Sequence, residues 1–267
     1  MPAATSLLST RAIPPRERLI AALDVPSADA ARRLVRNFGD AVHFYKLGFE
    51  LLMSGDYFEL VDELAAAGKK LFLDLKLYDI PETVGRAVRS LRERPVHFVT
   101  VHYDRRVLEA ACRERGEIGI LAVTVMTSID AADLRDQGFP PGTDPADLVV
   151  ARSKSAFDLG CAGVIASALE APQIRAAAGP KLAIVTPGIR PGPMRGVGSV
   201  PIDSEGSAAI GSEGSAGSDD DQRRVMTPRD AFGNGADYIV VGRPLRDARD
   251  PHAAAQAIQA TIAELFG

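Results

Sequence analysis

Leu71-Phe72-Leu73-Asp74-Leu75-Lys76-Leu77-Tyr78-Asp79-Ile80-Pro81-Glu82-Thr83 starts as an apolar run and ends as a set of charges. Alternate side chains of a strand share a face, so Asp74 and Lys76 project to one side. Asp79 follows three residues after Lys76, where the strand gives way to a helical pattern. Carboxylates and an ammonium at the end of a buried strand are costly to desolvate. A fold keeps such a cluster mainly where chemistry uses it. Two structural roles compete with that reading. Asp79 with Glu82 fits a capping box, and Lys76 can serve only to neutralise Asp74. For the set as a whole, inside an otherwise apolar strand, function is the better reading.

Working outward, this run is the third of eight. The others cover 19–23, 42–47, 96–101, 118–125, 163–166, 182–185 and 238–241. Helical patterns follow them at 27–38, 57–67, 82–92, 105–115, 145–159, 171–178, 228–232 and 251–266, several with a Ser or Pro start and a Gly stop. Strands alternating with helices imply parallel pairing through right-handed crossovers. Eight such units close an α/β, (β/α)8 TIM barrel, here as a single domain over residues 1–267. An open doubly wound sheet is the alternative. Against it, the first strand–helix turn (Asp24-Val25-Pro26-Ser27) lacks a glycine-rich phosphate fingerprint. Polar groups also recur after the runs, at Asp24, Lys46, Asp74, His102, Thr127, Arg190 and Arg243. In a barrel these ends converge on one mouth.

The segment 196–221 breaks the alternation. It is rich in Gly, Ser and acidic residues and cannot bury enough apolar surface to offset its ordering entropy. It is expected to be a long flexible loop after strand 7.

Composition narrows the function classes. The 267 residues are 46% apolar and 25% charged, with a net charge of −4. That balance carries no global basic footprint, so nucleic acid is not an expected partner. The two cysteines, Cys112 and Cys161, form no C-x-x-C pair, and the four histidines are scattered. This argues against a disulfide scaffold or a metal cluster and suits a reducing, cytoplasmic setting. No run is long enough to span a bilayer, and residues 1–15 lack a signal-peptide apolar core.

Two further groups complete the expected site. The loops after strands 7 and 8 commonly bind phosphate in barrels. Here they supply Gly188, Arg190, Gln222, Gly242 and Arg243. Glycines let backbone N–H groups approach an anion, and arginine gives bidentate contacts. Lys46, inside the apolar run Phe44-Tyr45-Lys46-Leu47-Gly48, would join Asp74, Lys76 and Asp79 in an alternating array. There the carboxylates would keep each lysine protonated. A protonated lysine can deliver a proton to carbon. A carboxylate facing the substrate's own carboxylate disfavours the ground state until CO2 leaves, and remote phosphate binding can offset that strain. Stabilisation of the carbanion by Lys76 is the firmer contribution.

The motifs together resemble the bacterial-type orotidine 5′-phosphate decarboxylase family. They are Ala22-Leu23-Asp24-Val25-Pro26, Tyr45-Lys46-Leu47-Gly48, the 72–83 stretch, Val123-Thr124-Val125-Met126-Thr127-Ser128, the stretches 186–191 and 221–228, and Val241-Gly242-Arg243-Pro244. The resemblance implies decarboxylation of OMP to UMP, the last step of de novo pyrimidine synthesis, with no metal or organic cofactor. It implies Lys76 as proton donor to C6 and Asp74 beside the departing carboxylate. Asp24 and Lys46 would contact ribose, Thr127 and Ser128 the pyrimidine, and Arg190, Gln222, Gly242 and Arg243 the phosphate. It further implies a homodimer with shared sites, Asp79 and Thr83 reaching into the partner's. Two features depart from the family pattern: the length of the 196–221 loop, and bulky Tyr103-Asp104-Arg105-Arg106 where relatives carry small residues. Two rival readings are a Mg-dependent, hexulose-6-phosphate synthase-like aldolase and a non-catalytic UMP-binding barrel.

Overall fold

The computed structural model describes residues 7–190 and 226–267. The expected 196–221 loop and Gln222 lie outside the described residues. The chain runs β1 (Leu19–Ala22), α1 (Ala28–Phe38), β2 (Phe44–Gly48), α2 (Phe49–Leu52), α3 (Tyr57–Ala66), β3 (Lys70–Leu77) and α4 (Pro81–Leu91). It continues through β4 (Phe98–His102), α5 (Arg105–Glu114), β5 (Gly119–Val123), α6 (Ala131–Asp136), α7 (Pro145–Asp158), β6 (Gly163–Ile165) and α8 (Ala171–Ala178). Last come β7 (Ala183–Thr186), α9 (Pro228–Gly233), β8 (Tyr238–Val241), α10 (Arg243–Arg246) and α11 (Pro251–Phe266). Every strand pairs in parallel with its sequence neighbour, and β1 also pairs with β8, which closes the barrel. The (β/α)8 expectation therefore holds, and the doubly wound alternative falls.

Strand pleating sorts the side chains into two cores. On β1, Leu19 and Ala21 belong to the shell between barrel and helices, whereas Ile20 and Ala22 belong to the interior. The same alternation on β2, β3 and β4 points Phe44, Phe72 and Phe98 inward. With Tyr238 they form an aromatic plug, ring centroids 5.4 to 6.3 Å apart. These spacings suit edge-to-face and offset contacts. Gly119 at the start of β5 makes room for the plug, since a Cβ there would lie 2.5 Å from the Phe98 ring. One pleat above Phe44 and Phe72 come Lys46 and Asp74, and one further up β3 comes Lys76. The parity that seals the barrel floor also aims the charges at its mouth.

The helices start and stop as their caps dictate. Ser27 accepts from the Ala30 N–H at the start of α1, and Gly39 ends that helix at a φ of 58°. The bulky 103–106 stretch acquires a structural role. Asp104 caps α5 by accepting from the N–H groups of Arg106 and Val107. The Tyr103 hydroxyl donates to Ser155 at 3.0 Å under the Arg152 guanidinium, tying α5 to α7. The capping box read from Asp79 and Glu82 does not form. Ile80 is the N-cap of α4 without a side-chain cap, Pro81 opens the helix, and Glu82 lies 3.9 Å from Arg113. A capping box does occur at Asp130 and Asp133, on the short α6 that the hydrophobic periodicity did not reveal.

Candidate active site

At the C-terminal ends of the strands lies a cavity of about 790 Å³. Asp24, Lys46, Asp74 and Lys76 line one side, and Phe72 contributes its floor. Thr127 and Ser128 follow β5, and Arg190, Gly242 and Arg243 come from the loops after β7 and β8. Nine of the expected site residues therefore share one chamber.

The charges form a continuous chain. Lys46 Nζ lies 2.9 Å from Asp24 Oδ1 and 3.3 Å from Asp74 Oδ2. Lys76 Nζ lies 2.8 Å from the same Asp74 oxygen. Gly48 keeps this space open: a Cβ there would sit 3.3 Å from Asp24 Oδ1 and 3.5 Å from Lys46 Nζ. Burial by itself raises the Asp74 pKa. Lys46, Lys76 and hydrogen bonds from Lys76 and Thr100 outweigh it and hold the carboxyl below its ordinary range. For Lys46, burial pulls the pKa down, but Asp74 and Asp24 outweigh it and keep the ammonium above its ordinary value.

Thr100 on β4 was not among the expected site residues. Its hydroxyl donates to Asp74 Oδ1 and accepts from the Lys76 backbone N–H, both at 2.9 Å. The β3–β4 register explains why it is there. Leu73 faces Val99, but Leu77 already faces Val101, so β3 bulges between them. Lys76 sits in that bulge at a φ of 44°, a left-handed conformation unfavourable to a residue with a Cβ. The fully buried Thr100 hydroxyl takes up the N–H that the broken ladder releases. The signal was present in the sequence: Thr100 shares the inward parity of Phe98. Arg246 was also missed. It lines the cavity and donates to the Asp24 carbonyl at 2.7 Å, braced by Asp247.

The loop after β7 is clipped at its described ends. The Arg190 N–H donates to the Met226 carbonyl at 2.9 Å, and the Met226 N–H donates to Gly188 at 3.3 Å. Gly188 adopts a φ of 75° at this turn, which favours glycine. Arg190 is thereby fixed at the mouth.

Two expected residues among those described, Asp79 and Thr83, do not line the chamber. Asp79 is exposed, with Oδ1 accepting from the Ile80 N–H at 2.6 Å, and lies between exposed Tyr78 and Ile80. Thr83 lies on α4, where its hydroxyl accepts from Arg86 at 3.3 Å. Gln222 is outside the described residues. His102, polar at the end of β4, is not a lining residue either. It packs edge-on against Tyr78, and burial together with Lys76 lowers its pKa. Among the described residues, no cluster of three or more His, Cys, Asp or Glu side chains is arranged to hold a metal ion. No described helix is long and apolar enough to cross a membrane.

Comparison with known proteins adds a second line of observation. Residues 17–258 match the model of the Orotidine 5′-phosphate decarboxylase / HUMPS family. The chain is 50% identical over 261 residues to an orotidine 5′-phosphate decarboxylase of Methylococcus capsulatus, covering 98% of each chain. It is 46% identical to one of Rhodopseudomonas palustris, covering 93% of this chain and 96% of that one. Among solved structures, the orotidine 5′-phosphate decarboxylase of Lactobacillus acidophilus superposes with a TM-score of 0.74 at 30% identity, over 92% of this chain and 99% of that one.

Proposed function

The chain belongs to the orotidine 5′-phosphate decarboxylase / HUMPS family, and from that premise we propose how its residues carry the reaction. It is a carboxy-lyase that decarboxylates orotidine 5′-phosphate to UMP, the last step of pyrimidine biosynthesis. The observation that carries the mechanism is the 2.8 Å contact of Lys76 Nζ with Asp74 inside the strand-end chamber.

The C6–carboxylate bond breaks, CO2 leaves, and the electron pair stays on C6. Lys76 stabilises that developing charge and then gives a proton to C6. Asp74, kept ionised by its two lysines, lies beside the substrate carboxylate and disfavours the ground state relative to the product of CO2 loss. Lys46 orders the array between Asp24 and Asp74, and both Asp24 and Lys46 face the ribose hydroxyls. Thr127 and Ser128 meet the pyrimidine. Arg190, Gly242 and Arg243, with Gln222, hold the phosphate, and that remote binding energy offsets the strain at C6. The chemistry draws on the chain's own residues alone, in the cytoplasm.

Asp79 and Thr83 act in the second protomer of a homodimer. Their place outside their own chamber and the exposed Tyr78 and Ile80 flanking Asp79 support this. Mixing inactive Asp79→Ala and Lys76→Ala chains is expected to restore activity, because half of the heterodimer's sites regain both residues. Absence of recovery despite demonstrated subunit exchange would refute the shared site. For the reaction itself, the ultraviolet change on OMP loss should persist in EDTA with UMP as the product. Activity abolished by the chelator and restored by Mg²⁺ would instead favour the aldolase-like reading.

A further inference from the structure

Neither cysteine takes part in the chemistry at the mouth. Cys112 is half-buried in the last turn of α5, and Cys161 is buried between α7 and β6. Their sulfurs lie 3.7 Å apart although 49 residues separate them in the chain, and both are free thiols. We propose that Cys112 and Cys161 form an oxidisable dithiol, a modification site that hydrogen peroxide converts into an intramolecular disulfide.

The roles divide by surroundings. The hydrogen bond with Cys161 lowers the Cys112 pKa against the opposing effect of burial, and Arg115 adds to the lowering. The same bond and burial push Cys161 up. Cys112, the more accessible sulfur, is the attacking thiolate. It displaces hydroxide from peroxide: an S–O bond forms, the O–O bond breaks, and Cys112 becomes a sulfenic acid. Cys161 sulfur then attacks Cys112 sulfur, the S–S bond forms, and the hydroxyl leaves as water with the Cys161 proton. The two thiols lose two electrons and the peroxide ends as two waters. The sulfurs close from 3.7 Å to the about 2 Å of a disulfide.

The bond would clip the end of α5 to the start of β6. Helices return antiparallel to the strands they follow, so this clip lies at the barrel end opposite the catalytic array. It therefore closes a long loop of the unfolded chain without displacing Asp74 or Lys76. The test treats the whole purified enzyme with hydrogen peroxide. Titratable thiols should fall from two per chain to none. Intact mass should drop by about 2 Da, with the linkage mapped to Cys112 and Cys161 and reversed by dithiothreitol. Melting temperature should rise while OMP turnover is unchanged. In Cys161→Ser, Cys112 should instead be trapped by dimedone as sulfenic acid. In Cys112→Ser, buried Cys161 should stay reduced. Persistence of both thiols at peroxide levels that oxidise free glutathione, cross-linking between chains, or over-oxidation of Cys112 beside reduced Cys161 would each overturn the proposal.

Discussion

Asp237 is a buried carboxylate of this barrel and Asp74 a largely enclosed one, yet only Asp74 has a proposed part in the chemistry. Asp237, just before β8, has a side chain with 0% exposure. Arg175, Ser9 and the Ile184 N–H saturate its oxygens, the last at 2.8 Å. Asp74 keeps 13% exposure and faces the chamber with lysines on both flanks. Enclosure and charge are common to the two. What separates them is partner and outlook: an arginine holds its protons at any working pH, whereas a lysine can release one. A carboxylate locked by guanidinium and backbone is architecture. A carboxylate whose ammonium partners look into a cavity is open to the chemistry proposed for it.

Substitutions at the two ends should split this comparison. Lys76→Ala should lower kcat by up to about 10⁴-fold and leave the melting transition near that of the parent. Retained turnover in the purified variant would remove Lys76 from the mechanism. Asp237→Ala should show the converse, destabilising by about 3–5 kcal/mol through the guanidinium it strands, with kcat per folded enzyme preserved. Denaturant titration and active-site-normalised rates distinguish the two. Arg243→Ala should weaken UMP by about 10–100-fold and leave uridine nearly unaffected. Equal losses for both ligands would show that Arg243 does not read the phosphate.

The smallest effect is the pH dependence of stability. The folded pKa of Asp74 is depressed, so its contribution is present above about pH 4 and fades as pH falls through the folded value. The folded pKa of Lys46 is raised, so its contribution is complete below about pH 10 and fades as pH rises through the folded value. Stability from the array should thus plateau between these limits. Lys46→Met should flatten the alkaline limb in urea melts across pH, and an unaltered slope would contradict the coupling.

Much of the site was legible because β3 obeys a period of two. Phe72, Asp74 and Lys76 share a face in the sequence pattern and share the barrel interior in the structure. The eight runs and most helix limits were equally legible, since apolar strands and Ser, Pro and Gly punctuation are local signals. Thr100 was overlooked because an inward threonine in an apolar run looks like any other small strand residue. Its role arises only where the β3 bulge frees the Lys76 N–H. The capping box at Asp79 and Glu82 was a local pattern that lost to Pro81, which begins the helix without it. Short α6 and α10 escaped notice because few residues establish no periodicity.

The sequence by itself determined the barrel and which charges line up on one face of each strand, because pleat and helix periods are written residue by residue. Only the tertiary structure decided that Lys46, from β2, bridges Asp24 and Asp74 from its two neighbours, that Thr100 braces the bulge beneath Lys76, and that Cys112 meets Cys161. Those contacts depend on strand register and on helix packing between segments far apart in the chain, which no local pattern encodes.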